Sequence, residues 1–457
     1  MVEKVSEMGY RAHGESPMRK YFVLLACIAV SMATSVWAKT IEVGPGRRQQ
    51  RIDQANKIAR AGDLILVYPQ AGNAPYTQEA IFVRVKNLTF RAVPAKGEKW
   101  VKISGKGYDY SGRGSTPRAI FQFNKGTDNC LVEGFELFDA HNGSHNGAGV
   151  RINQANNVTL RNCNIHKNDM GIMSNSDGTQ QTGVNQRIEH CLIHHNGSFE
   201  EPGYNHNLYL GGTSVTLSFC EVHGSLTGHN VKSRAHYTRV QYSYIHDSAN
   251  REFDLVDGKD TERPNSHAVL LGNIIVKDSN CKGNRAVIHY GQDGGKEHDG
   301  TIYLYHNTIV TPFVSPVLDL SASKAKAHLI ANFISDGGKK QNGQKLLSAR
   351  NNANIKNVTG THNWFDRGFA APAGAGLSAK DNSFGKHIAA PFADPAKHDY
   401  RLVKKLPVST AAREQKLPPI PGAETPEKDL GWIYVHPAGK AQRKESKYTL
   451  GAYPVGK

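Results

Sequence analysis

Cysteine is scarce in this chain, six in 457 residues, and none stands in a C-x-x-C pair. That excludes the zinc ribbons and redox motifs built on such spacing. Apolar residues make up only 39% and aromatic residues 8%, too few for several thick cores. Beyond Met32 no apolar run is long enough to span a bilayer. Acidic side chains are also short, 40 against 56 lysines and arginines, which leaves a net charge of +16. A surplus of that sign suits an anionic partner.

What the chain does have is a recurring phrase. "NVTLRNCNIHKN" (157–168), "NQRIEHCLIHHN" (185–196), "SVTLSFCEVHGS" (214–225) and "YTRVQYSYIHDS" (237–248) share one pattern. The small residue before x-(Ile/Val)-His is Cys163, Cys191, Cys220 and then Ser243, and the slot continues as Asn273, Asn307, Asn332 and Asn363. Steps of 23 to 34 residues, filled by short β-branched runs cut by Gly, Asn and Asp, signal stacked coils. The fold expected is all-β, a right-handed parallel β-helix over 39–370. Cys163, Cys191 and Cys220 should stack inside it as small buried residues without disulfides. Gln50 to Ala61 has helical spacing and precedes the strand "LILVYP", which suits a cap over the open end of the coils. Residues 371–457, with "LPPIPGAETP", read as an extended C-terminal tail.

Residues 1–38 carry an export signal. Met18-Arg19-Lys20 is basic, Tyr21 to Met32 is largely apolar, and Val36-Trp37-Ala38 suits cleavage. Met18 is the expected start, and Leu25-Ala26-Cys27 is the weaker, lipoprotein version of the same signal. The mature chain is expected to be a periplasmic or secreted monomer without an integral membrane segment. Removing four basic and three acidic residues with the leader keeps it basic, so acidic polysaccharide is the expected partner rather than nucleic acid.

The segments "GVRIN", "GIMSN", "NLYLG", "NVKSR", "EFDLV", "VIHYG" and "VLDLS" align as one strand of each coil. Alternation turns Val150, Ile172, Leu208, Val231, Phe253, Ile288 and Leu318 inward. The outward column is then Arg151, Met173, Tyr209, Lys232, Asp254, His289 and Asp319, one residue every ~4.8 Å. Asn207, Asn230 and Glu252 on one side and Arg234 on the other form flanking outward columns. Eliminating a proton from C5 of a uronate needs a base, a cation for the carboxylate and an acid for the leaving oxygen. Lys232 serves as base only with its pKa drawn down, which the neighbouring Arg234 and His229 are expected to do. Tyr209, His206 or His289 is placed to supply the proton. Arg151, Arg251, His206, His229 and Asp254 line the substrate, and arginine suits a carboxylate. Asp254 also reads as an ion-pair partner of Lys232. His166, His194, His223 and His246 read as repeated corner residues without the carboxylate partners of a metal site.

This stretch resembles the right-handed parallel β-helix polysaccharide lyases of the pectate lyase superfamily. Within it, "GHNVKSRA" (228–235) is similar to the lysine segment of the chondroitinase B and alginate lyase type. The resemblance implies a lysine base, matched by Lys232, and an assisting arginine, matched by Arg234 or Arg251. It also implies calcium held by Asn and Glu, for which Asn207, Asn230 and Glu252 are the candidates. The two acidic residues preceding that lysine in the family are His229 and Asn230 here. A lyase, or a related epimerase, is the leading expectation. A glycoside hydrolase using Glu252, Asp254 and Asp257 and a non-catalytic polysaccharide-binding solenoid are the alternatives.

Overall fold

A computed structural model describes residues 38–112, 117–339, 343–385, 388, 390–403, 431–442 and 450–453. The leader, with Met18 and Cys27, and the segment "LPPIPGAETP" lie outside the described residues. Residues from Lys39 onward form one compact unit. It is built from strands of two to six residues that each coil lays, in turn, on three sheets of 12, 11 and 10 strands. Successive coils pair in parallel, as Leu160 with Ile188, Ile165 with Ile193 and Ile172 with Leu208 show for the three sheets. This is a right-handed parallel β-helix, the hand that parallel crossovers adopt.

Single residues in left-handed backbone help to turn the chain from one sheet to the next. Asn129, Asn157 and Asn185 each take a positive φ (59, 55 and 53) without being glycine. Asparagine tolerates that left-handed conformation, and here each side-chain amide donates to the previous coil's Asn at 2.8–2.9 Å. Inside, Val150, Ile172, Leu208, Val231, Phe253, Ile288 and Leu318 are all fully buried, as alternation requires. Cys163, Cys191 and Cys220 are buried free thiols in one stack. The same slot continues as a polar ladder. Ser243 N donates to Asn273, then Asn273, Asn307, Asn332 and Asn363 each donate from Nδ2 to the next Asn at 2.8–3.0 Å. A buried amide is tolerated because its neighbours satisfy it. The Cys191 hydrogen bond and burial push the Cys163 thiol well up, and burial does the same to Cys191. All five described cysteines should therefore ignore a thiol reagent in the native protein and react only on unfolding; a fast-reacting thiol among them would contradict the stack.

Helix α1 (Ile52–Ile58) is shorter than the helical spacing suggested and turns buried Ile52 and Ala55 onto the first coil. Glu79 accepts from the N–H groups of Ile52 and Asp53 at 3.3 and 3.2 Å, satisfying the helix start. At the other end, coil strands continue to Phe384 on the 11-stranded sheet. Two antiparallel hairpins follow, Phe392–Asp394 with Asp399–Leu402 and Trp432–Val435 with Gly439–Gln442. Tyr400, Tyr434, Leu450 and Tyr453 from this region share an apolar cluster with Tyr244, Phe333 and Trp364. No helix among the described residues is long and apolar enough to cross a membrane.

Candidate active site

The site lies on the 10-stranded sheet, on five consecutive coils. Its strands are β1 (Leu208–Leu210), β2 (Val231–Ser233), β3 (Phe253–Val256), β4 (Ile288–Gly291) and β5 (Leu318–Ser321). In-register pairing sets Tyr209 beside Lys232, Lys232 beside Asp254, Asp254 beside His289 and His289 beside Asp319. Arg151 and Met173 continue the row on the preceding coils. The outward column expected from the sequence is present in that order.

Lys232 is largely buried, and its ammonium donates at 2.8 Å to both Asp254 Oδ2 and Asp293 Oδ2. Burial alone would lower its pKa, but the two carboxylates outweigh burial and hold it above the usual lysine value. The expectation that Arg234 and His229 draw that pKa down is thus corrected. Carboxylates, not cations, make the direct contacts. Arg234 reaches the same Asp293 Oδ2 at 2.7 Å and donates from Nε to Tyr209 Oη at 3.1 Å. Asp293 belongs to the loop after β4 and keeps 41% of its side chain exposed.

Behind this face, Asp254 is 1% exposed and accepts from Arg251 at 3.0 Å, with His289 Nδ1 at 2.8 Å and His229 Nε2 at 3.4 Å. Burial raises its pKa, yet His229, His289 and Lys232 together hold it well below the usual carboxylate range. His289 is equally buried, its Nε2 lying 2.6 Å from Ser321 Oγ and 2.8 Å from Arg350. His206 accepts from the His229 amide at 3.0 Å and stacks on His229 at 5.0 Å. Burial lowers both, His229 to about 4, so both rings are neutral at neutral pH. His206, His229, Asp254 and His289 therefore support the face rather than form it. Tyr209, Arg234, Arg151, Asp293 and the tip of Lys232 are what a ligand can meet.

Because Asp254 is depressed, its stabilisation is fully present above its unfolded value of about 3.9 and disappears as pH falls through the lower folded value. The wild-type melting temperature should thus fall more steeply below about pH 4 than that of Asp254→Asn, measured by circular dichroism. Equal acid slopes would remove Asp254 from the network.

Two further expectations are corrected. Asn207, Asn230 and Glu252 are not an outward flank; all three are fully buried. They extend a second ladder in which Asn196 donates to Asn207, Asn207 to Asn230 and Asn230 to Glu252 at 2.6–2.9 Å. Lys277 Nζ lies 3.3 Å from Glu252 Oε1, so an ammonium already supplies the cation there and the calcium reading does not fit. Second, His166, His194, His223 and His246 end strands of the 11-stranded sheet and stack face to face at 4.8–4.9 Å. Two of the four do have carboxylate partners, Glu136 for His166 at 2.9 Å, and Glu221 and Asp247 for His246 at 3.2 and 2.8 Å, whereas His194 and His223 have none among the described residues. Two of these partners sit on a preceding coil, 25–30 residues away, where local sequence does not reveal them.

Sequence reasoning also missed Asp293 and Arg350. Each comes from a segment outside the aligned strand residues, about 60 residues from the partner it meets (61 for Lys232 with Asp293, and 61 for His289 with Arg350). A cavity of about 250 Å³ opens beside this face, lined by Arg151, Met173, Tyr209, Arg234, Lys259 and Asp260 among others. Arg151 meets Asn153 and the Met173 sulfur but no carboxylate among the described residues. Burial and the nearby Arg118 push its pKa down to about 10, where it remains a cation at neutral pH.

No family model matches the sequence, and no curated protein matches it. Among solved structures it is similar to pectate lyase Pel9A, at 12% identity over 92% of this chain and 96% of that one, TM-score 0.42. A pectin methylesterase from carrot follows at 10% identity over 77% and 88%, TM-score 0.31. The GH136 lacto-N-biosidase from Eubacterium ramulus is 13% identical over 81% and 69%, TM-score 0.36. The assignment of the fold rests on the strand pairings themselves.

Proposed function

We propose that this chain is an exported polysaccharide-degrading enzyme, and that it cleaves a uronate-containing polysaccharide by β-elimination on the 10-stranded sheet. One observation carries the reading. A single carboxylate oxygen, Asp293 Oδ2, is held jointly by Lys232 at 2.8 Å and Arg234 at 2.7 Å on an accessible face. A uronate carboxylate has the same chemistry and takes that position when the Asp293 loop yields. Arg151, without a carboxylate of its own among the described residues, serves the next acidic sugar along the cavity.

Lys232, kept charged by Asp254, then neutralises the substrate carboxylate instead of taking the proton. Tyr209 Oη is the partly exposed group beside that position that, as a phenolate, can take the C5 proton and then give it to the leaving oxygen, ending as the phenolate again. The Arg234 N–H already directed at Oη stabilises the phenolate before it takes the proton and after it gives the proton up. Hydrolysis has less support. Glu252 and Asp257 are fully buried, and Asp257 is occupied by the N–H groups of Asp293, Gly294 and Lys296 at 2.6–2.8 Å. Asp254 is buried and held ionised, so among the described residues of this face no exposed acid with a raised pKa faces a second carboxylate.

Incubation with a panel of acidic and neutral polysaccharides tests the proposal. Ultraviolet absorbance of an unsaturated uronate should rise with an acidic glycan alone, and Tyr209→Phe should remove it while leaving substrate binding within about threefold. New reducing ends without that absorbance would replace the lyase reading with hydrolysis.

A further inference from the structure

We propose that His194, His195 and His223 form a binding site for a divalent transition cation of the Zn²⁺ type, separate from the uronate site. Their donor nitrogens all lie within 4.8 Å of one another. His194 and His223, on adjacent coils, stack in parallel at 4.9 Å with 9° between planes. His195 stands edge-on to both, at 87° and 89°. Its Nδ1 is 2.8 Å from His194 Nδ1. Two lone-pair-bearing nitrogens aimed at each other need a shared proton or a cation between them.

The surroundings orient these donors. Asn164 Nδ2 points to Glu136 Oε1 at 3.4 Å, which leaves Asn164 Oδ1 to face His194 Nε2 at 3.1 Å. That oxygen only accepts, so His194 Nε2 carries the proton and Nδ1 keeps its lone pair. His195 sits at a left-handed corner with φ +50, which swings its ring across the stack. The equivalent corner on the next coil is Gly224, φ +59, where a Cβ would lie 3.2 Å from the His195 ring. On the preceding coil the corner is Lys167 and on the following one Asp247, so a histidine meets a bare corner only here among these four coils.

Three imidazoles select Zn²⁺, Cu²⁺ or Ni²⁺ over the oxygen-seeking Ca²⁺. With Zn–N bonds of about 2.0–2.1 Å, tetrahedral donors stand about 3.3 Å apart, which ring rotations of about an ångström bring about. His195 is exposed, leaving the fourth position to water. Such an ion would tie one coil to the next where two neighbouring interior strands end.

The test is titration of the full-length protein, carrying no polyhistidine tag, with Zn²⁺ alone by calorimetry, and with Co²⁺ by visible absorbance. One ion per chain should bind, with the intense visible band of a tetrahedral site, and should raise the melting temperature. His195→Asn keeps a residue that accepts the left-handed corner, and His223→Gln keeps the stack polar. Each should weaken Zn²⁺ by more than about 100-fold, beyond the 10–100-fold typical of losing an outer partner such as Asn164. His328→Asn, on another sheet, should bind like wild type. Absence of stoichiometric binding in the wild type, or unchanged affinity in both cluster variants with native circular dichroism, would overturn the proposal.

Discussion

Replacing Lys232 by alanine should lower the rate of unsaturated-uronate formation by about 10²–10⁴-fold, the range for a positioned group acting on the reacting centre. Folding should be nearly unaffected, because Asp254 retains Arg251, His229 and His289 as partners. The informative companion is Lys232→Arg. If Lys232 works as a cation, arginine restores part of the activity, since it too holds a carboxylate. An arginine variant as inactive as the alanine variant would return the role of base to the lysine. Near-normal turnover in Lys232→Ala would remove the site altogether.

Replacing Lys277 by methionine should produce the largest loss of stability, about 3–5 kcal/mol, because Glu252 is left buried without its cation. Both side chains are fully buried, and Lys277 also donates to the backbone carbonyls of Ser248 and Asn250. Adding Glu252→Gln should recover much of the loss, because a neutral amide keeps a partner for Asn230. Burial already raises the Glu252 pKa. A raised carboxylate stabilises the fold below its unfolded value and loses that contribution as pH rises, so the deficit of Lys277→Met should narrow toward about pH 4.3. Chemical denaturation of the single and double variants at two pH values measures this. A loss under about 1 kcal/mol would mean that water reaches Glu252.

The coil architecture was legible because it depends on local alternation repeated at a nearly constant step. Once Val150, Ile172, Leu208 and Val231 are turned inward, Arg151, Met173, Tyr209 and Lys232 must face outward in one row, and the pairings bear this out. The cysteine stack followed for the same reason.

The positions just before the strands were less legible, since the alternation that fixes inward and outward faces does not extend past a strand's end. Asn207, Asn230 and Glu252 precede the strands and were read as facing out, whereas they complete a buried ladder closed by Lys277. The sequence by itself determined the stacked coils, the inward apolar faces and the order of the outward column. Only the tertiary structure decided which charges meet. Asp293 reaches Lys232 across 61 residues and Arg350 reaches His289 across another 61, through loops that no periodicity governs. Those contacts set whether Lys232 keeps its proton, because a pKa responds to the charges within a few ångströms and not to neighbours along the chain.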